Sequence, residues 1–355
     1  MAEKYIAVGP QTAYANGKFD PVAFESSELG RKSIELRRMY NQYKRQPMHP
    51  EVLKYWESKG VKKELFNEDR EAEQELFSVL SPINPEKNHK YPLLYVLHGG
   101  GEDAFSAEFY GYGDLVGMGN CICVHPTASL HGNPKVETEF ERILNFLKEK
   151  NYPIDYTRVY VVGFSGGEGA TQRIAMQHAD KIAGIGPTPG PNSFRGVSLP
   201  RLQAEYNKKF GLEIPMICIG GSADGGDMWP LNTEQCVQSF NFYMQNVAKA
   251  PNYKPMTLEK TYEIARTSDD TVKRLFGIDF DCTWINRLYD TYIYFGEFYG
   301  RKGYPVARFG SIIGLPHTQC PAQAMFVWSY LRQFSRDPET KEIIYNEAEV
   351  GGANK

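Results

Sequence analysis

The sequence predicts an α/β fold with a mostly parallel central sheet and helices on both faces. Three observations predict it. Several short runs are apolar throughout, among them "YPLLYVL" (91–97), "CICVHP" (121–126) and "RVYVV" (158–162), as expected of strands buried on both faces. Between them lie stretches with apolar residues at helical spacing. Glycine clusters follow the strands at 99–101, 166–167 and 220–221, where tight strand-to-helix turns would fall.

Taken in order, residues 26–66 are charged and helical in pattern, with Leu29, Leu36, Tyr40 and Tyr43 on one face. "RQPMHP" breaks that pattern and a short helix, Glu51 to Ser58, follows. Residues 1–70 are therefore expected to form an N-terminal helical extension that caps the main domain, 71–340. "EQELFSVLSP" (73–82) reads as a strand, "INPEKNHK" as a turn, and "YPLLYVLHGGG" (91–101) as a buried strand ending in glycines. "NCICVHPTA" (120–128) is another strand. "KVETEFERILNFLKEKN" (135–151) carries Val136, Phe140, Ile143, Leu144 and Leu147 at helical spacing. "RVYVVGFSGGEGA" (158–170) joins a strand to a helix reaching about His178, with Ala170, Ile174 and Ala175 inward. "KIAGIGPTPG" and "IPMICIGGSAD" (214–224) supply two more strands. Residues 341–355 read as a C-terminal tail.

Composition narrows the function. The 355 residues carry a net charge of −3, which favours neither nucleic acid nor an anionic membrane as partner. No run approaches the roughly 18 apolar residues of a membrane span. The N-terminus lacks the apolar stretch of a signal peptide, so the expectation is a cytoplasmic protein, or a secreted one whose signal is missing from this sequence. Six cysteines are too few for a disulfide scaffold. Cys121, Cys123 and Cys218 read as buried thiols, whereas Cys236, Cys282 and Cys320 could pair in an exported protein. Cys121, Cys123 and His125 alternate along one strand, with His131 beyond, a spacing that zinc could use. Burial inside a parallel sheet weighs against it, so no metal and no cofactor is expected. Oligomeric state is not legible.

The stretch from Gly163 to Gly167 fits G-x-S-x-G. A serine at the apex of a strand-to-helix turn projects its hydroxyl clear of the sheet, and glycines two residues either side prevent collision. The helix that follows aims free N–H groups at the site. The Lys-Ser/Thr pair of a phosphate-binding loop is absent. A serine hydroxyl needs a base, a group that orients the base, and donors for a developing oxyanion. The N–H of Gly166, with that of Gly100 or Gly101 in "LHGGGED" (97–103), would be the donors. His98 reads as a residue that holds this loop. Asp224, at the end of a buried strand, is the preferred acid, with Asp227 as alternative. Only His317 among seven histidines follows Asp224, and the order Ser165…Asp224…His317 suits nucleophile, acid and base.

"YPLLYVLHGGGEDAF", "YPIDYTRVYVVGFSGGEGA", "GGSAD" and "PHTQCPAQAMFVWSYLRQFSRD" together resemble the α/β-hydrolase esterases of the feruloyl esterase and polyhydroxybutyrate depolymerase group. The resemblance covers about residues 70–225 and 310–338. It implies an α/β-hydrolase fold, a cofactor-free serine esterase and a Ser165–His317–Asp224 triad. Aromatic acyl or acetyl esters of plant carbohydrates are the implied substrates. Two features depart from the group. The N-terminal helices are extra, and residues 228–310 read as an insertion rich in Tyr, Phe and Trp, expected to form a lid. That insertion also brings Asp270, Asp279, Asp281 and Asp290 nearer to His317 in sequence than Asp224. Trp229, Tyr110 and Phe105 are the expected substrate-binding residues. A serine peptidase, a polyester or short-chain esterase, and a non-catalytic binding protein on the same fold are the competing readings.

Overall fold

The computed structural model describes residues 14–15, 18–67, 76–128, 133, 135–189, 211–224, 231 and 233–347. A short hairpin, β1 (Tyr14–Ala15) and β2 (Lys18–Phe19), precedes the main body. The body is built on β3 (Val61–Phe66), β4 (Phe77–Pro82), β5 (Tyr91–Leu97), β6 (Ile122–Pro126) and β7 (Ile154–Phe164). β8 (Gly184–Thr188), β9 (Met216–Gly221), β10 (Cys282–Leu288), β11 (Thr291–Tyr299) and β12 (Pro305–Ile312) complete it. These ten strands form one sheet in the order β10-β11-β12-β9-β8-β7-β5-β6-β4-β3. From β6 to β12 the neighbours are parallel; β4 and β3 at one side, and β11 and β10 at the other, are antiparallel.

Every residue of β5, β6, β8 and β9 is buried, so both faces of the sheet centre are covered, as their unbroken apolar runs require. The helix Val136–Glu149 buries Val136, Phe140, Ile143, Leu144 and Leu147 on one stripe, the pattern its sequence carries. It packs against the helix Gly166–Gln177, which lies on β7 and β8, while the helix Pro321–Leu331 lies on β8 and β9. A last hairpin, β13 (Phe334–Arg336) with β14 (Ile343–Tyr345), places part of the expected tail in a paired strand. All six cysteines are free thiols, five of them buried.

The N-terminal segment does fold as helices (Pro21–Ser26, Glu28–Leu36, Arg38–Gln42 and Pro50–Ser58), but its last part is not helical. "VKKELF" is the sheet strand β3, and its alternation of Val61 and Lys63 inward against Lys62 outward was hidden because an inward lysine looks polar. The extension is tied down at two places. Asp290 accepts the N–H groups of Glu28 (2.7 Å) and Leu29 (3.2 Å) at the start of the second helix. Trp56 lies over Gly113, where a Cβ would meet its ring at 2.3 Å.

The expected lid over 228–310 is corrected in its second half. β10, β11 and β12 extend the main sheet, so this stretch builds scaffold. Many of its phenylalanines are spent on core: with Phe240 from the first half, Phe280, Phe298 and Phe309 make ring contacts at centroid distances of 5.2 to 6.5 Å, and Phe276 lies 5.3 Å from Phe280. Aromatic content alone does not separate a lid from a core, because the same rings serve both.

Lys63 meets Glu108 at 2.7 Å with both side chains fully buried, and Ser78 (2.8 Å) and the Trp56 indole (3.3 Å) also donate to that carboxylate. Burial pushes the Glu108 carboxyl up and the Lys63 amine down, and each partner opposes the shift of the other. Lys63→Met should therefore destabilise the protein by about 3–5 kcal/mol at neutral pH, the range for removing one partner of a buried pair. A carboxyl raised in the folded state favours folding while protonated and loses that contribution as pH rises. The deficit of the variant relative to the parent should thus shrink as pH falls, which urea midpoints at several pH values would show.

Candidate active site

The serine sits where β7 turns into the helix Gly166–Gln177. Its backbone is at φ 54°, ψ −115°, a conformation that a non-glycine residue adopts only under constraint, at a cost of order 1–3 kcal/mol. The flanking glycines are sterically required. A Cβ on Gly163 would meet the Gly167 carbonyl oxygen at 2.3 Å, and one on Gly167 would meet the carbonyl oxygens of Leu97 and His98 at 2.7 Å. The turn is thus wedged between its own helix and the end of β5, and its apex is fixed.

β9 and β12 are parallel neighbours, so the loops after them leave the same rim. They are stitched together by Ser222 N–H to Ile312 O (2.9 Å), Ala223 N–H to Leu315 O (3.0 Å) and Gly314 N–H to Ser222 Oγ (2.9 Å). Gly221 lets them close, since a Cβ there would lie 1.8 Å from Leu315 O. One loop carries Asp224 and the other His317. His317 Nδ1 lies 2.8 Å from Asp224 Oδ2, and Nε2 lies 2.9 Å from Ser165 Oγ. A neutral ring protonated at Nδ1 satisfies both contacts: it donates to Asp224 and accepts from the serine hydroxyl. Phe164 supports the ring at a centroid distance of 4.7 Å.

The other acids are engaged elsewhere. Asp270 caps the helix Thr271–Phe276, Asp279 pairs with Lys273 at 2.5 Å, Asp281 accepts from Tyr299 N–H at 2.9 Å, and Asp290 caps the N-terminal helix. Asp227 and Trp229 lie outside the described residues, as does His131. Among the described residues no cluster could hold a metal ion; Cys121 and Cys123 are buried with sulfurs 3.9 Å apart.

His98 ties the glycine loop down, with Nδ1 2.7 Å from Gly99 O and Nε2 2.9 Å from Thr127 O. Gly99 N–H is occupied by Tyr110 Oη (3.0 Å) and Glu102 (3.3 Å). An added Cβ on Gly100 or Gly101 would meet nothing within 4 Å, so the surface over them is open. Gly166 opens its helix, and its N–H has no acceptor within that helix.

Tyr110 and Phe105 were expected to touch substrate, and the structure corrects both. Tyr110 is 1% exposed and Phe105 4% exposed. The Tyr110 hydroxyl is consumed by Gly99 and Glu102, and Phe105 packs against Tyr40 and the Lys63 ammonium. Proximity to the glycine loop in sequence had suggested exposure, but Phe105 is buried within the short helix Ala104–Ala107 and Tyr110, in the turn after it, points its hydroxyl back to Gly99 and Glu102. Sequence reading passed over Glu102 and Arg37, which pair beside the loop. Glu102 could have been suspected from its place after Gly101. Arg37, 65 residues upstream, leaves no local signal.

The chain has the α/β-hydrolase fold. The sheet order and the constrained serine turn establish it. No protein-family model matches the chain, and no curated protein matches it. Among solved structures it is similar to the feruloyl esterase module of Clostridium thermocellum, at 17% identity over 56% of this chain and 76% of that one, with a TM-score of 0.39. A ferulic acid esterase of Anaeromyces mucronatus gives 19% identity over 52% and 78%, TM-score 0.37. S-formylglutathione hydrolase of Staphylococcus aureus gives 12% identity over 46% and 80%, TM-score 0.35. Likeness at this level carries no argument about activity.

The hydrogen bond to Asp224 raises the His317 imidazole above its ordinary value; burial opposes this, and the charges of Asp224 and Glu102 add to it. Its NMR titration should therefore fall above about 6.5. Asp224→Asn should bring it down, because the burial that opposes protonation then loses its main counterweight.

Proposed function

We propose that the protein is a serine carboxylic ester hydrolase that works through an acyl-enzyme. The observation that carries this reading is the continuous hydrogen-bonded chain from Ser165 Oγ through His317 to Asp224, at the apex of a constrained turn. In the proposed reaction Ser165 Oγ attacks the ester carbonyl while His317 Nε2 takes its proton. Asp224 keeps the ring oriented and stabilises the imidazolium. The negative oxygen of the tetrahedral intermediate is received by Gly166 N–H and by Gly100 or Gly101 N–H, each donor contributing about 2.7–4 kcal/mol to the barrier reduction. His317 returns the proton to the alcohol as the C–O bond breaks. A water molecule, deprotonated by His317, then hydrolyses the acyl-enzyme and restores Ser165.

The substrate class rests on the sequence resemblance: aromatic acyl or acetyl esters of plant carbohydrates. No cofactor or metal has a role in this scheme.

Ser165→Ala should reduce hydrolysis of p-nitrophenyl acetate by at least about 10⁴-fold while leaving the circular dichroism spectrum unchanged. Turnover that survives in a clean preparation of the variant would refute the nucleophile. A panel of methyl ferulate, aryl acetates, medium-chain esters and a peptide amide then reads the substrate; best turnover of long aliphatic esters or of the amide would displace the carbohydrate-ester reading. Because the neutral imidazole is the base, turnover should decline as pH falls through the raised His317 value, and that acidic limb should sit above about pH 6.5.

A further inference from the structure

We propose that Arg37, supplied by the N-terminal helices, is a positioning residue for the oxyanion loop: it neutralises Glu102 and thereby prevents a carboxylate under that loop from opposing the charge the reaction develops. The inference rests on the ester-hydrolase reading of Ser165.

Glu102 directly follows Gly99, Gly100 and Gly101 and folds back under them. Its Oε2 accepts from Gly99 N–H (3.3 Å), from the Tyr110 hydroxyl and from Ser106 Oγ (3.4 Å). Those bonds hold Gly99 in place and leave the N–H of Gly100, one residue on, unspent by Glu102. The same carboxylate is a problem for catalysis. It is close enough to act on His317, and an anion beside the oxyanion donors repels the negative oxygen they are meant to receive.

Arg37 removes the problem. Its Nη2 meets Glu102 Oε1 at 2.5 Å, with the two side chains only 15% and 20% exposed. Its guanidinium lies over the rings of Tyr40 (5.0 Å) and Tyr110 (5.3 Å), and its Nε is buried without a hydrogen-bond partner among the described residues. A group so desolvated is held for its charge on one acceptor, since its remaining donors make little use of the site. Arg37 stands at the junction of the helices Glu28–Leu36 and Arg38–Gln42, and the N-terminal end of the first is fixed by Asp290. The extension therefore has a defined route to the glycine loop. The titratable groups that interact with Glu102 are Arg37, Tyr40, Tyr110 and His317, with Asp103 beside it acting on Tyr40 as well; of these Arg37 is the fixed cation.

The test uses the full chain. Arg37→Ala should lower kcat for p-nitrophenyl acetate by about 10–100-fold, below the loss expected for an oxyanion donor itself, with KM changed less than about threefold. Guanidinium chloride, far below denaturing concentration, should restore part of kcat in Arg37→Ala and none in the parent. Arg37→Lys should keep most of the rate. Adding Glu102→Gln to Arg37→Ala should recover kcat, because the amide keeps an acceptor for Gly99 and Tyr110 without the charge. Independently of turnover, the His317 titration should move up in Arg37→Ala and come down again in the double variant. A folded Arg37→Ala protein with kcat within about twofold of the parent, a loss that guanidinium and Glu102→Gln both fail to relieve, or an unmoved His317 titration would each overturn the proposal. Ester turnover that does not depend on Ser165 overturns the serine-nucleophile reading instead, and the His317 titration still decides the role of Arg37.

Discussion

The site depends on a backbone conformation that would not exist in isolation. Ser165 occupies a left-handed φ of 54° because the turn between β7 and its helix has no room for any other path. Gly163 faces the Gly167 carbonyl and Gly167 faces the end of β5, each at a distance that excludes a methyl group. The constraint is made by burial: β5 is covered on both faces, so the carbonyls of Leu97 and His98 cannot retreat. The strain at one residue is carried by the packing of a whole sheet, and its effect is to present one hydroxyl at a fixed place.

Much of this was legible in the sequence, for a physical reason. Strands buried on both faces are written as unbroken apolar runs, and "YPLLYVL", "RVYVV" and "MICIG" carry no competing pattern. The glycines around Ser165, and the lone late histidine, are dictated by local geometry and chain order. Asp224 was harder. Five other aspartates had a claim, and what brings Asp224 beside His317 is the β9–β12 ladder, whose paired residues, such as Gly221 and Ile312, stand 91 positions apart, a pairing that no local rule contains. Lys63 misled in the opposite direction. A lysine pointing into the core reads as solvent-exposed, and only the buried Glu108, distant in sequence, explains it. Tyr110 and Phe105 failed for a related reason: nearness to a motif along the chain says nothing about which way a side chain faces.

The N-terminal helices and the late antiparallel strands are held to each other as well as to the sheet. Asp290, in the turn between β10 and β11, caps the second helix, and Arg37 at that helix's far end reaches the glycine loop. Each joint uses charge to satisfy groups that a helix end or a buried loop would otherwise leave exposed. Segments that lie outside the parallel centre of the sheet are thus mechanically joined to the region around Ser165.

The stitching of the loops after β9 and β12 has a consequence for how such a molecule can change. Asp224 and His317 meet because their strands are neighbours, and the contact itself is made by the loops that follow β9 and β12. Here the described residues of the intervening stretch contribute three α-helices, a π-helical turn and two added strands. The alignment of the two side chains is set by the β9–β12 ladder, which makes this crossover a natural grafting point: foreign chain can be accommodated between its elements as long as that ladder and the Asp290 cap are kept.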